Sequence, residues 1–111
     1  EEGARDIYRE FRQELEHRFA ETRTVTDYAA KLGYSEKSLY RAVVSSTGMA
    51  PKQLIDQRVA LEAQRLLIHT ARPLKRIARD LGFSEPTNFT KFFRRTVGQS
   101  PAEFRQRASA R

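Results

Sequence analysis

Residues 80–101, DLGFSEPTNFTKFFRRTVGQSP, repeat the pattern of residues 31–51, KLGYSEKSLYRAVVSSTGMAP. Both stretches contain Leu-Gly, an aromatic residue and Ser-Glu near their start, and both end with a glycine followed three residues later by proline. The leucines and first glycines are offset by 49 residues, whereas the second glycines and the prolines are offset by 50. The second copy therefore carries one extra residue near SEPTN. The shared order of these residues indicates a duplicated structural unit.

Each copy has the features of two helices separated by a tight turn. The turn falls on Gly33 or Gly82, because glycine adopts positive φ without the steric cost of a Cβ atom. Two residues later a serine can accept hydrogen bonds from the free amides of the next helix, and a second glycine ends that helix. In the first copy the predicted second helix covers residues 36–47, with Ser35 as its cap and Gly48 at its end. In the second copy it covers about residues 85–97, with Ser84 as its cap and Gly98 at its end.

Apolar residues recur at helical spacing on one side of each second helix. The residues predicted to face inward are Leu39, Ala42 and Val43 in the first copy and Phe89, Phe92 and Phe93 in the second. The first helices are shorter, and they cover VTDYAAKL, capped by Thr24, and RPLKRIARDL. Each copy therefore predicts a helix-turn-helix unit.

Two longer helices are predicted outside these units. An N-terminal helix has large apolar residues every four positions with charges between them, which predicts one buried stripe. That stripe consists of Ile7, Phe11, Leu15 and Phe19. Pro51 suits the first position of a second long helix over 51–69. The residues of this helix available for burial are Leu54, Val59, Leu61, Leu66 and Leu67.

The chain is expected to end with a short helix and a basic tail. Ser100, Pro101 and Glu103 provide the cap, the first-turn proline and the capping-box acid of a helix predicted to continue through Phe104. Beyond it, RQRASAR has no apolar periodicity and is expected to be frayed.

Together these patterns predict an all-α fold of about seven helices, in which two helix-turn-helix units are joined by a long connector helix. Four segments are expected. They are residues 1–50 with the packing helix and the first unit, 51–71 with the connector helix, 72–106 with the second unit and the final helix, and 107–111 with the basic tail.

The composition excludes several classes of site. The chain has 111 residues, no cysteine and two histidines, so neither a disulfide framework nor a metal site is expected. No nucleophile paired with a base and no glycine-rich phosphate loop occurs, so we expect no catalytic residue, no cofactor and no enzymatic activity. No apolar run approaches the length of a membrane span. The expectation is a soluble, cytoplasmic chain without membrane contact.

The net charge of +7 is concentrated in the last part of the chain. Residues 72–111 contain ten Lys and Arg against three Asp and Glu, whereas residues 1–71 contain eleven of each. A basic block of this kind favours a polyanionic partner, with a solvated face as the alternative.

A helix-turn-helix uses its first helix to brace the second, whose exposed side enters a DNA major groove. Two copies predict two reading helices. A connector of 19 residues spans about 28 Å at 1.5 Å per residue, and successive major-groove faces recur about 34 Å apart. One chain could thus place both reading helices in consecutive grooves of double-stranded DNA.

The exposed N-terminal sides of the reading helices supply the candidate base contacts. These are Lys37, Ser38, Tyr40 and Arg41 on the first helix and Thr87, Asn88 and Lys91 on the second. Arg41 is the preferred guanine reader, since the two N–H donors of its guanidinium match the acceptors O6 and N7. Alternatively, Arg41 binds a phosphate or a carboxylate within the protein. Tyr40 could equally be a partly buried core residue. Asn88 suits adenine and Lys91 suits guanine, although Asn88 could instead satisfy the helix end.

Phosphate contacts are expected from the free backbone amides at two helix N-termini, residues 51–53 and 101–103, and from basic side chains that supply charge. The candidates are Lys52, Arg72, Lys75, Arg76, Arg94 and Arg95. Some of these side chains will simply be solvated.

Residues 82–105, GFSEPTNFTKFFRRTVGQSPAEFR, resemble the signature segment of AraC/XylS-type bacterial transcription regulators, as do LGYSEKSLYR and TGMAPKQLI in the first unit. The resemblance covers about Ile7 to Arg105. It implies a seven-helix, two-headed DNA reader that is commonly attached to a separate sensing domain, which this chain lacks, and RNA polymerase is a further candidate partner. Val43, Val44 and Ala50 depart from the family pattern. We expect the first unit to be the looser of the two.

Two other classes of function are alternatives to a sequence-specific regulator. A non-specific architectural DNA binder explains the charge but not two shaped reading helices. An enzyme is disfavoured by the missing catalytic groups, and the lack of cysteine excludes the thiol-acceptor alkyl-transfer chemistry of some family relatives within this segment.

Overall fold

The computed structural model describes residues 2–110, which form seven α-helices and no β-strand. In chain order the helices are α1 (Glu2–Arg18), α2 (Val25–Leu32), α3 (Glu36–Thr47), α4 (Pro51–His69), α5 (Leu74–Asp80), α6 (Pro86–Val97) and α7 (Pro101–Ser109). The prediction of an all-α fold of about seven helices is confirmed.

The chain divides into two compact units. The first unit extends to Asp56 and the second begins at Gln57, so the division falls inside α4. This long helix supplies buried residues to both units, with Ile55 in the first and Val59 in the second. We define α3 and α6, the second helices of the two helix-turn-helix units, as the reading helices.

The core of the first unit forms where α1 packs against α2 and α3. Its buried members are Phe11, Leu15, Tyr28, Ala29, Leu39, Val43 and Ile55. The rings of Phe11 and Tyr28 meet edge to face with centroids 5.6 Å apart, a geometry that aromatic pairs favour. The Tyr28 hydroxyl donates to the carbonyl oxygen of Thr22, and burial raises the pKa of Tyr28 to about 12.

The core of the second unit is built around phenylalanines. Phe83, in the turn, contacts the rings of Phe89 and Phe92 at centroid distances of 5.4 and 5.3 Å. Phe93 contacts the ring of Phe104 in α7 at 5.6 Å. These rings bury the inner face of α6, and its opposite face remains in solvent.

The predicted inward faces of both reading helices are confirmed. Leu39, Ala42 and Val43 are buried in α3, and Phe89, Phe92 and Phe93 are buried in α6. The caps of the first unit are also confirmed, because Thr24 accepts from the amide of Asp27 and Ser35 accepts from that of Ser38. Gly33 has φ of 80°, which lets the chain reverse between α2 and α3.

The predicted cap of α6 was wrong. Glu85, not Ser84, is the N-cap residue, and Pro86 is the first helical residue. The extra residue of the second copy lies between the serine and the helix, so the serine is one position too early. Proline fixes the start because its φ suits the first helical position and its missing N–H loses no hydrogen bond there.

Two further predictions were wrong. Leu61 is 60% exposed, whereas Ile55 and Ala63 fill the core positions of α4. The last helix does not stop at Phe104 but continues to Ser109, so the expected frayed tail is helical through most of its described length. Arg111, the end of that predicted tail, lies outside the described residues.

Candidate nucleic-acid interface

The exposed side of α3 begins at its first turn. Lys37, Ser38, Tyr40 and Arg41 are all exposed, so the structure brings the four candidates of the first unit onto one solvent-facing surface. Tyr40 is 53% exposed, so about half of its surface reaches solvent and the rest is covered by the protein. The Arg41 side chain forms no ion pair within residues 2–110, so its guanidinium is free to bind an external acceptor.

Ser38 has a structural role in addition to its exposed position. Its backbone amide donates to Ser35 Oγ at 3.0 Å, and its own Oγ accepts from the Ser35 hydroxyl at 3.0 Å. The hydroxyl hydrogen of Ser38 is still available to an external acceptor, because the bond from Ser35 uses only a lone pair.

Two side-chain bonds brace the turn in front of α3. Tyr34 Oη donates to both carboxylate oxygens of Glu10 at 3.0 and 3.1 Å, and this bond raises the pKa of Tyr34. Thr26 Oγ1, in α2, donates to Glu36 Oε2, in α3, at 3.0 Å. These bonds hold the start of the reading helix against α1 and α2, and the sequence patterns did not predict either.

The corresponding side of α6 carries the second group of candidates. Thr87, Asn88 and Lys91 are exposed. The backbone amide of Asn88 donates to the carbonyl oxygen of Glu85 at 3.1 Å. Its side-chain amide has no partner among the described residues, so Asn88 does not cap the helix with its side chain and can present both a donor and an acceptor outward.

Among the phosphate candidates, Lys52 is already engaged at the start of α4. Its Nζ donates to the carbonyl oxygen of Arg23 at 2.9 Å and lies 3.1 Å from Asp56 Oδ1, without the alignment of a hydrogen bond. A phosphate would have to compete with these contacts or share the ammonium group.

Arg72 and Arg76 share one carboxylate at α5. Arg72 Nη1 lies 3.1 Å from one oxygen of Asp80, and Arg76 Nε lies 3.5 Å from the other. All three side chains keep contact with water, so the pairs contribute little stability and can open at low cost.

Three phosphate candidates are less engaged. Lys75 and Arg94 are exposed and form no ion pair within the described part of the chain. Arg95 places its guanidinium carbon 5.8 Å from the centroid of the Phe92 ring, a cation–π contact that leaves its N–H groups available. Arg94 and Arg95 both lie in the last turn of α6.

The start of α7 is fixed by a complete capping box. The Ser100 amide donates to Glu103 Oε1 at 2.8 Å, and the Glu103 amide donates to Ser100 Oγ at 3.0 Å. The bond from the Ser100 backbone is the main reason that the pKa of Glu103 lies below its usual value. This prediction from the sequence is confirmed.

Neither a metal-binding cluster nor a membrane-spanning helix occurs within residues 2–110. No group of three histidine or acidic side chains is placed to hold a metal ion. No helix in this range is both long enough and apolar enough to cross a bilayer.

The comparison with known families decides what the two units are. A family model described as a helix-turn-helix domain matches residues 28–107, which include both turns and both reading helices. The chain belongs to the AraC/XylS family. It is a sequence-specific DNA-binding domain of a transcription regulator, not an enzyme domain.

Curated relatives share this part of their length. The HTH-type transcriptional activator RhaS of Escherichia fergusonii is 33% identical over 92 residues, which cover 83% of this chain and 33% of RhaS. The uncharacterized HTH-type transcriptional regulator YisR of Bacillus subtilis is 32% identical over 92 residues, which cover 83% of this chain and 32% of YisR. The chain thus spans about a third of the length of the curated relatives it matches.

Solved structures with the same fold include DNA-binding domains. The DNA-binding domain of AdpA, a global transcriptional factor crystallised with a target DNA, is 33% identical with a TM-score of 0.80, and the match covers 94% of this chain and 93% of that one. The C-terminal domain of AraT, a response regulator of Geobacillus stearothermophilus, is 27% identical with a TM-score of 0.84. This match covers 90% of this chain and 84% of the AraT domain.

Proposed function

We propose that this AraC/XylS-type domain inserts α3 and α6 into successive major grooves of double-stranded DNA, and that one chain binds one asymmetric site. The observation that carries the proposal is the duplication of a helix whose inner face is buried and whose N-terminal outer face is exposed and polar. Two such helices in one chain supply two reading surfaces without a second copy.

Base recognition is assigned to the exposed residues of the two helices. Arg41 donates to O6 and N7 of guanine, Asn88 pairs with N6 and N7 of adenine, and Lys91 donates to a guanine acceptor. Lys37, Ser38, Tyr40 and Thr87 contribute contacts to neighbouring bases. Their exposure supports these roles, because base edges are reached only by side chains that are not used in the core.

Phosphate contact is assigned first to the side chains without internal ion pairs. Lys75, Arg94 and Arg95 neutralise phosphates directly, and releasing counterions from the DNA drives this binding. Lys52, Arg72 and Arg76 contribute after exchanging their present partners for phosphate oxygens, or while sharing them. The concentration of charge in residues 72–111 supports a larger electrostatic contribution from the second unit.

The full-length regulator is proposed to be a bacterial, cytoplasmic protein with a sensing domain outside this chain and with RNA polymerase as a further partner. Support comes from the relatives named as transcriptional activators, which are about three times as long as the matched segment.

Selection of bound DNA from a random library tests the proposal. The expected motif is asymmetric, with two short boxes about one helical turn apart, and is bound by one chain. A reading variant, Arg41→Ala with Lys91→Ala, should lose enrichment of both boxes. Its control, Arg5→Ala with Arg12→Ala, removes the same charge from the exposed side of α1 and should keep the motif.

Two results would contradict the proposal. A strictly palindromic motif occupied by two chains would overturn the single-chain arrangement. Equal binding of selected and random DNA would favour the architectural alternative, in which the charge attracts DNA and neither helix recognises bases.

A further inference from the structure

Acidic side chains are rare in the basic part of the chain, and two of the three are already bound. Residues 72–110 contain Asp80, Glu85 and Glu103 as the only acids. Asp80 pairs with two arginines of the second unit, and Glu103 accepts the backbone amide of Ser100 in the capping box. Glu85 has no hydrogen bond or ion pair to its carboxylate within the described residues.

Glu85 occupies the leading end of α6. It is exposed and extended, with φ of −132°, and it directly precedes the helix that presents Thr87, Asn88 and Lys91. Its carbonyl oxygen accepts from the amides of Asn88 and Phe89, so the backbone of Glu85 starts the helix. The carboxylate takes no part in this cap. The first unit differs here, because Ser35 caps α3 with its side chain.

An unpaired carboxylate at this end of a DNA-reading helix weakens DNA binding unless it accepts a hydrogen bond from a donor on the DNA. Phosphates repel it, and the nearest phosphate candidates on α6, Arg94 and Arg95, lie in the last turn at the opposite end of the helix. Within the major groove a carboxylate can only accept hydrogen bonds. Cytosine presents an N4 amino donor there, whereas the N6 donor of adenine stands beside the acceptor N7, which repels a second oxygen.

We propose that Glu85 is a specificity-determining residue that accepts a hydrogen bond from N4 of a cytosine in the box read by α6. The proposal rests on the proposed insertion of α6 into the major groove. Glu85 favours cytosine by this bond and disfavours every other base at that position by leaving its charge unpaired among phosphates.

A purely structural role for Glu85 predicts a different result. A carboxylate at a helix N-terminus also interacts favourably with the helix dipole. If that were its only role, replacing Glu85 would lower stability slightly and would leave base preference unchanged. The absence of a side-chain cap makes substitutions here suitable for the test, because the helix start does not depend on the side chain.

The test uses selection from a random library, followed by titration of duplexes that differ at one base pair. Glu85→Ala removes the acceptor, and Glu85→Gln replaces it with an amide. Glu62→Gln, on α4 of the same unit, is the control, because it raises the net charge equally while its side chain pairs with Arg65 on its own helix. Urea denaturation checks that all variants fold.

Wild-type protein is expected to select cytosine at one position of the α6 box. Glu85→Ala should reduce that preference by about fivefold or more and leave the other positions intact. Glu85→Gln should shift the preference towards adenine, which the amide can pair with at N6 and N7. Glu62→Gln should change affinity for all sequences alike and keep the preference for cytosine.

Unchanged base preference in both Glu85 variants would overturn the inference, as would a uniform gain of affinity equal to that of Glu62→Gln. Either result would leave the proposed function standing, because the remaining positions of the motif would still be selected. A chain that enriched no sequence at all would overturn both.

Discussion

Arg105 Nε, in α7, donates a hydrogen bond of 3.1 Å to the carbonyl oxygen of Leu67, in the last turn of α4. The same guanidinium donates to the carbonyl oxygens of Thr70 at 3.1 Å and Arg72 at 2.6 Å. One side chain therefore satisfies the end of α4 and the segment that follows it, where the helix leaves carbonyl oxygens without partners. This anchor fixes α7 at Arg105, the residue directly after Phe104, against the end of α4.

Replacing Arg105 should destabilise the second unit. Arg105→Ala is expected to lower the free energy of unfolding by about 2 kcal/mol, because hydrogen bonds to a charged group contribute about 1.5 to 3 kcal/mol and this site is partly exposed. Arg105→Lys should recover little, since an ammonium group cannot reach three carbonyl oxygens in the same fork. Urea denaturation followed by circular dichroism measures the loss. Arg107→Ala, on the exposed side of the same helix, should be nearly neutral.

The sequence separation of the residues joined by Arg105 explains why these hydrogen bonds could not be predicted. Arg105 and Leu67 are 38 positions apart, and no local pattern connects them. The charged segment RQRASAR has no apolar periodicity, so the sequence indicated a frayed tail. By contrast, the Ser100–Glu103 box and the Ser35 cap act within four residues, and their spacing alone predicted them.

In the candidate interface, too, local features could be predicted from the sequence and long-range contacts could not. Alternation of buried and exposed positions along each reading helix predicted that Arg41 and Lys91 would be exposed. It could not predict that Lys52 binds a carbonyl oxygen 29 residues away or that Asp80 holds Arg72, because these contacts depend on the packed unit. The extra residue before Pro86 moved the cap from a serine to Glu85, which local propensity ranks below it.

A serine at position 50 should complete a second capping box. Gln53 Oε1 already accepts the Ala50 amide at 2.9 Å, but alanine offers no side-chain oxygen in return. Ala50→Ser is expected to stabilise the first unit by about 1 kcal/mol, and Ser100→Ala should destabilise the second by a similar amount. Hydrogen exchange of residues 2–56 reports the first effect. Equal hydrogen exchange in Ala50→Ser and wild type would contradict the expected stabilisation. The missing cap oxygen at position 50 would then not explain why the first unit is expected to be the looser of the two.

The capping box of α7 makes stability depend on acid pH. The pKa of Glu103 is held below its usual 4.5, first by the bond from the Ser100 backbone. A carboxyl whose pKa is lower in the folded chain stabilises the fold above the unfolded value and loses that contribution as pH falls through the folded value. Stability should therefore begin to fall below about pH 4.5.

Glu103→Gln separates this effect from general acid denaturation. The amide oxygen can still accept the Ser100 N–H but does not titrate. Thermal unfolding of wild type and Glu103→Gln should converge as pH falls through the folded pKa, with wild type the more stable at neutral pH. A constant difference across the range would show that the carboxylate charge does not contribute.

Arg41 should contribute recognition rather than general attraction. Arg41→Ala is expected to cost about 1 to 3 kcal/mol on the selected site and to relax preference mainly at one base pair, because its fork pairs with both guanine acceptors. Fluorescence anisotropy on selected and random duplexes separates the two effects. Arg5→Ala removes the same charge from α1 and should leave the preference intact. Equal weakening of both duplexes by Arg41→Ala would assign Arg41 to a phosphate instead.

Arg94 and Arg95 should contribute attraction rather than recognition. Both lie exposed in the last turn of α6, away from the first turn that presents Thr87 and Asn88. Replacing both by alanine should weaken binding to selected and random DNA alike. It should also flatten the slope of log affinity against log salt by up to about two units, because each phosphate contact releases about one counterion.

The salt titration needs a control for the loss of two charges. Arg5→Ala with Arg12→Ala changes the net charge equally from α1, where no phosphate contact is proposed, and should leave the slope close to that of wild type. If the α6 double variant instead lost only its preference for the selected sequence at an unchanged slope, its arginines would contact bases. The electrostatic part of binding would then have to come from Lys52, from Lys75 and from the two arginines that pair with Asp80.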